Sequence, residues 1–447
     1  MDSPLRRAAA LVAALTLVAL SANVTVAQAI TPPSVDPGMV PPDGPPRPDQ
    51  PMRRANSCSA PITVRNPDVA QLAPGFNLLN IAKAWQYSTG NGVPVAVIDT
   101  GVSPNPRLPV VPGGDYIMGE DGLSDCDAHG TIVSSIIGAA PQGILPMPRP
   151  MPATPAFPPP GDPNSDEKVK AGTLNSVARA VVHAANMGAK VINISVTACL
   201  PAAAPADQRA LGAALWYAAT VKDAVVVAAA GNDGEAGCNN NPMFDLLDPS
   251  DPRDWHQVKV VSAPSWFSDY VLSVGAVDAS GAALDKSMSG PWVGVAAPGT
   301  HIMGLSPQGG GPVNAYPPSR PGEKNMPFWG TSFSAAYVSG VAALVRAKFP
   351  ELSAHQVINR IVQSAHNPPA GVDNKVGYGL VDPVAALTFN IPPGDRMAPG
   401  SQSRIITPAP PPPPPDHRAR NIAIGFLGTV AAGVLVLAIA ARLRRAR

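Results

Sequence analysis

The chain has 447 residues, a formal net charge of +1 and 14% charged residues, enough for one large domain with tails. This near-neutral balance excludes the global positive field that favours nucleic acid, so no nucleic-acid partner is expected. The 56 prolines concentrate in Pro32–Pro51, Pro141–Pro163 and Pro410–Pro415, and such runs cannot build a packed core because proline fixes φ and lacks an N–H.

Residues 1–29 carry the parts of a secretory signal: Arg6 and Arg7, the apolar stretch Ala8 to Leu20, and Ala27-Gln28-Ala29, after which cleavage is expected. A Pro-rich extension follows over 30–76, and the main domain is expected over 77–390 with a Pro-rich insertion at about 141–165. Val93 to Ile98 reads as a buried strand ending at Asp99-Thr100-Gly101. His129 to Gly138 has helical spacing of Ile132, Val133, Ile136 and Ile137. Leu174 to Met187 is a helix stopped by Gly188, Lys190 to Ser195 a strand, Asp207 to Val221 a helix and Ala224 to Ala230 a buried strand. Val271 to Val277 and Trp292 to Ala296 are strand-like, and Thr331 to Ala347 is a long helix rich in small residues. Strands apolar on both faces, alternating with helices, predict an α/β fold with a mostly parallel sheet covered by helices on both sides. Its active site is expected at the carboxyl ends of the strands, near a topological switch point.

The chain ends in a Pro-rich linker over 391–421, an apolar uncharged stretch Ile422 to Ala441 and a basic tail over 442–447. That stretch is long enough to span about 30 Å of hydrocarbon, and the arginines after it should stay cytoplasmic. A cell-membrane protein with one C-terminal span and its main domain on the extracytoplasmic side is expected. In an exported domain the four cysteines suggest two disulfides, with three possible connectivities. The preferred set is Cys58–Cys126, stapling the incoming chain beside His129, and Cys199–Cys238, clipping the loops after two successive strands. No Cys-x-x-Cys or His cluster suggests a metal.

Four polar residues sit where elements end. Asp99 closes the first strand and could equally be a turn former before Gly101. His129 opens a helix, whose N-terminus disfavours the imidazolium and keeps a base neutral. Asp121, Asp125 and Asp127 before it read as solvated loop acids. Ser332, in Gly330-Thr331-Ser332-Phe333-Ser334-Ala335-Ala336, enters the small-residue helix, where N–H groups and the helix dipole favour a nucleophile. Asn232, in Ala230-Gly231-Asn232-Asp233, follows a strand and could donate to a developing oxyanion.

Val97 to Val102, His129 to Thr131, Ala229 to Asn232 and Gly330 to Ala336, in this order, resemble the four signature blocks of the subtilisin-like serine proteases. The resemblance implies a three-layer α/β fold and an endopeptidase with Asp99, His129 and Ser332 as triad. It also implies Asn232 as oxyanion donor, Asn193 and Ser195 as the edge that pairs substrate backbone, a protein substrate, and neither cofactor nor metal. The signal, Pro-rich extension, cysteine placement and C-terminal span resemble the mycosins, membrane-anchored proteases of type VII secretion systems. That likeness implies an extension wrapped on the catalytic domain and association with a secretion membrane complex, where the alternative role is a structural scaffold. One departure stands out. After Gly138-Ala139-Ala140-Pro141 the family's aliphatic strand is replaced by a segment with Pro146, Pro148 and Pro150, which cannot donate in a central sheet. A truncated, displaced or absent strand is expected there.

Overall fold

The computed structural model describes residues 30, 32–48, 58–65, 72–138, 144–148 and 165–398, apart from 204, 236, 244–252, 254, 256, 310, 319 and 370, together with 432–434, 436 and 438–444. By internal contacts the chain divides into residues 1–402 and 403–447. The signal peptide, most of the Pro-rich insertion, most of the linker and more than half of the C-terminal apolar stretch lie outside the described residues. No helix among the described residues is long and apolar enough to cross a membrane.

Two short helices, α1 (Pro74–Leu78) and α2 (Ile81–Ala84), lead into β1 (Val95–Asp99). The chain then runs through α3 (His129–Ile137), β2 (Ile144–Pro148), α4 (Ser165–Asn186), β3 (Val191–Ile194), β4 (Ala198–Pro201), α5 (Arg209–Trp216) and β5 (Val225–Ala229). It continues with β6 (Val260–Ala263), β7 (Val271–Val277), β8 (Val293–Pro298) and two small hairpins, β9 (Gly304–Leu305) with β10 (Pro312–Val313) and β11 (Ala315–Tyr316) with β12 (Met326–Pro327). It closes with α6 (Thr331–Lys348), α7 (Ala354–Ser364) and α8 (Pro383–Thr388).

Six strands form one parallel sheet in the order β2-β1-β3-β5-β7-β8. Side chains alternate between its faces. Val95, Val97, Val191, Val225 and Val227 join one apolar cluster with Ile132 and Ile136 of α3 and Val338 and Val341 of α6. Ala96, Ile98, Ile192, Ile194 and Val226 join the other, with Val177 and Val181 of α4 and Leu211 and Leu215 of α5. A sheet apolar on both sides needs helices on both sides, and the three-layer arrangement follows. The chain leaves β1 toward β2 on one side and returns to β3 on the other, so the switch point lies at the carboxyl ends of β1 and β3.

The proline-bearing segment after α3 corrects the sequence reading. Ile144–Pro148 is a strand in full register with β1, pairing Pro146 with Val97 and Pro148 with Asp99. It is tolerated because β2 lies at the edge of the sheet. Prolines two residues apart put both missing donors on one side of the strand, and an edge strand has one side that requires none.

The N-terminal extension lies along the domain in two described stretches. Arg179 of α4 donates to the carbonyls of Arg47 and Pro45, each at 3.0 Å, while Asp43 accepts from Asn186 and contacts His183, each at 2.8 Å. Further on, Ile62 bridges Ala315 and the Val64 N–H donates to Asn314 Oδ1 at 2.7 Å, which adds a strand-like segment to the hairpin region.

Candidate active site

Asp99 ends β1 and is fully buried. One of its oxygens accepts from the Thr100 N–H at 2.7 Å and meets His129 Nδ1 at 2.6 Å. His129 is the first residue of α3, preceded by Ala128 in the left-handed region at φ 70°. That turn is held by Asp125. One carboxylate oxygen of Asp125 accepts from the N–H groups of Asp127 and Ala128 and from Thr100 Oγ1, and the other accepts from Thr131 N and Oγ1, all within 2.6 to 3.2 Å. Thr100 Oγ1 in turn accepts from the Gly130 N–H at 2.9 Å. Asp125 is therefore not a solvated loop acid, because five donors converge on it and it is only 6% exposed. Burial, together with the neighbouring charge of Asp99, outweighs those donors and pushes its carboxyl up to about 6. The sequence carried a signal for it: an Asp whose side chain can reach the N–H groups two and three residues on, just before a helix.

Ser332 is the second residue of α6, 9% exposed, following Gly330 at φ 138°. A side chain at Gly330 would meet the Asn232 amide at 3.1 Å, in a conformation that glycine adopts without strain. Asn232 Oδ1 accepts from Thr331 N and Oγ1, each at 3.1 Å, and its Nδ2 donates to Glu235 Oε2 at 2.8 Å. Glu235 has no counterpart among the residues singled out from the sequence. Ser332 Oγ lies 3.5 Å from the Ser195 carbonyl, and Ser195 Oγ lies 3.3 Å from the Ser332 carbonyl. His129, Ser195, Thr197, Asn232, Glu235 and Ser332 share one cleft of about 210 Å³, also lined by Tyr316, Met326 and Trp329.

Asn193 is not on an edge, and that expectation is corrected. It sits inside the sheet, paired with Val97 on one side and Val227 on the other, so its backbone is unavailable to a substrate. Its buried side chain donates to Ser195 Oγ and accepts from Ser339 Oγ, each at 2.9 Å, tying β3 to α6. Ser195 is the first residue past β3 and Thr197 follows it into the cleft.

Cys58 is bonded to Cys126, one residue from Asp125, and Cys199 to Cys238, whose loop borders the cleft. Among the described residues no group of three His, Cys, Asp or Glu side chains is arranged to hold a metal ion. A buried carboxylate on imidazole Nδ1 and a serine at a helix N-terminus in the same cleft are the parts required for acyl transfer.

The sequence model of the Subtilase family (Peptidase_S8) matches residues 90–379, and the chain belongs to that family of serine proteases. Within it the chain groups with the mycosins. It is 73% identical to Mycosin-2 of Mycobacterium tuberculosis (strain ATCC 25618 / H37Rv) over the whole of both chains. It resembles the crystal structure of MycP1 from the ESX-1 type VII secretion system with a TM-score of 0.79 at 46% identity, covering 83% of this chain and 100% of that one. It also resembles a chain in the periplasmic assembly from the ESX-5 inner membrane complex, with a TM-score of 0.78 at 48% identity, covering 86% of this chain and 100% of that one.

Proposed function

We propose that the protein hydrolyses peptide bonds of secreted or envelope proteins through Asp99, His129 and Ser332. The observation that carries this reading is the 2.6 Å contact of His129 Nδ1 with a fully buried Asp99, opening on the same cleft as Ser332. With Nδ1 donating to Asp99, Nε2 is left as the base. Ser332 Oγ attacks the scissile carbonyl carbon while Nε2 takes its proton. The tetrahedral intermediate then collapses, the C–N bond breaks, and His129 passes that proton to the leaving amine. Water repeats the sequence on the acyl-enzyme. Asn232 Nδ2 and the Ser332 N–H hold the oxyanion, a donor pair whose loss costs on the order of 3 kcal/mol per member. Substrate backbone pairs with the edge that begins at Ser195 and continues to Thr197.

The protein works at a membrane. A chain in the periplasmic assembly from the ESX-5 inner membrane complex is similar to it at 48% identity, and the apolar stretch over 422–441 with its arginine tail suits a single C-terminal anchor. We place the domain over 77–390 outside the cytoplasm, after removal of residues 1–29, as a member of a type VII secretion membrane complex. The test is labelling of the full chain with a fluorophosphonate. Wild-type labelling that vanishes in Ser332→Ala and His129→Ala is expected. A folded wild type that takes no label sinks the hydrolytic reading.

A further inference from the structure

The oxyanion amide has a charged neighbour. Asn232 Oδ1 is fixed by both donors of Thr331, so the amide orientation is set and Nδ2 faces the cleft, where it donates to Glu235 Oε2 at 2.8 Å. An amide nitrogen has two hydrogens, so one can serve an oxyanion while the other keeps Glu235. Two acceptors on one NH₂ group at hydrogen-bond distance lie about 5 Å apart. The carboxylate and the developing oxyanion are like charges at that separation. In a solvated cleft their repulsion slows acylation about four-fold, and by more as substrate expels water. Among the described residues no lysine or arginine lines this cleft, and Glu235 is its one carboxylate.

We propose that Glu235 selects substrates by charge: its carboxylate on the Asn232 amide penalises peptides that leave it unpaired, and a cationic side chain on the residue whose carbonyl is attacked removes the penalty. The inference rests on the peptidase reading above and adds a substrate class to it. Thr197 lies on the same cleft as Glu235, so a side chain leaving the backbone edge beside Thr197 can reach the carboxylate. The basic substrate residue supplies a countercharge that the cleft lining lacks; Lys286, over the Trp329 ring at 4.8 Å, is not among the lining residues. Glutamine at 235 would keep an acceptor for Nδ2 without the charge.

The experiment uses the full chain and two peptidyl diphenyl phosphonates that differ only in lysine or norleucine at the reacting position. Each forms a bond from Ser332 Oγ to phosphorus, and phenol leaves with the serine proton. Wild type should label faster with the lysine probe. Glu235→Gln should label about four-fold faster than wild type with the norleucine probe, and its lysine-to-norleucine ratio should fall toward one. The ratio is measured within each protein, so partial loss of folded material cancels. An unchanged ratio overturns the proposal. So does slower norleucine labelling by the variant, which would make Glu235 a support that orients Asn232. If a plain fluorophosphonate labels wild type and the ratio is unchanged, only the charge selection fails. If it labels nothing, the hydrolytic reading fails and takes this inference with it.

Discussion

Replacing Gly130 with alanine tests whether the start of α3 and the end of β1 are packed tightly enough to fix the His129–Asp99 pair. In an ordinary helix the change would stabilise by about 1 kcal/mol. Here the new methyl would stand 2.1 Å from the Gly101 carbonyl oxygen, 3.1 Å from Asp99 Cβ and 3.2 Å from Asp99 Oδ1. The obstacle at 2.1 Å is backbone, so the two elements must part by about 1 Å to reach ordinary contact. The 2.6 Å contact of His129 Nδ1 with Asp99 Oδ1 spans the same boundary, and that shift carries it beyond hydrogen-bond range. Overpacking costs about 1–3 kcal/mol, which cancels or exceeds the helix gain. A misplacement near 1 Å costs on the order of 100-fold in rate. Fluorophosphonate labelling rates and urea unfolding of the full chain measure the two effects. A variant that labels at the wild-type rate and unfolds at a higher urea concentration would refute the packing argument.

Asp125→Asn should change the pH dependence of stability. A carboxyl raised from 3.8 to about 6 in the fold contributes stability that is fully present below its unfolded pKa and is lost as pH rises through the folded value. The wild type should therefore lose about 2 kcal/mol relative to the Asn variant between pH 4 and pH 7; unfolding curves of both proteins that stay parallel across that range would contradict the assignment. Cys58→Ala opens a link between residues 68 apart in sequence, worth about 4 kcal/mol if chain entropy dominates. Limited proteolysis should then cut the stretch at 58–65 sooner, and unchanged resistance would mean that its hydrogen bonds to the hairpin region suffice.

Much of the fold was legible because both periodicities are strong. Strands such as Val225–Ala229 are apolar at every position and could only be interior, and α6 begins where Gly330 ends the preceding loop. The triad candidates stood at element ends in the order that four sequence blocks prescribe. What escaped the sequence depended on long-range placement. Nothing local says that β2 is an edge strand, so its prolines looked prohibitive until the strand order was known. The antiparallel pair β4 and β6 joins residues about sixty apart and has no local mark. Helix α7, by contrast, begins with Ser353 and Gln356 in a reciprocal capping box, a spacing visible in the sequence. Glu235 escaped because an acid in a loop looks the same in sequence whether it faces water alone or the Asn232 side-chain amide, whereas Asp125 had a local mark in the N–H groups two and three residues on.

Asn193 shows how a wrong role can conceal a right location. The residue was read as part of a backbone edge for substrate, yet its backbone is paired on both sides and its side chain is a buried link between Ser195 Oγ and Ser339 Oγ. Ser339 lies seven residues after Ser332 on α6, two turns along the same face. Asn193 thus fixes both the serine that touches the Ser332 carbonyl and the helix that carries the nucleophile. Removing one end should cost more than removing both. Ser339→Ala strands the buried Asn193 carbonyl oxygen, worth about 1–3 kcal/mol, whereas Asn193→Leu with Ser339→Ala replaces a polar pair by apolar groups. The double variant should be more stable than the sum of the singles by about 0.5–3 kcal/mol in a urea cycle. It should still label more slowly with a fluorophosphonate, because Ser195 Oγ has lost the donor that orients it. Additive energies together with wild-type labelling would show that the link neither couples β3 to α6 nor positions Ser332.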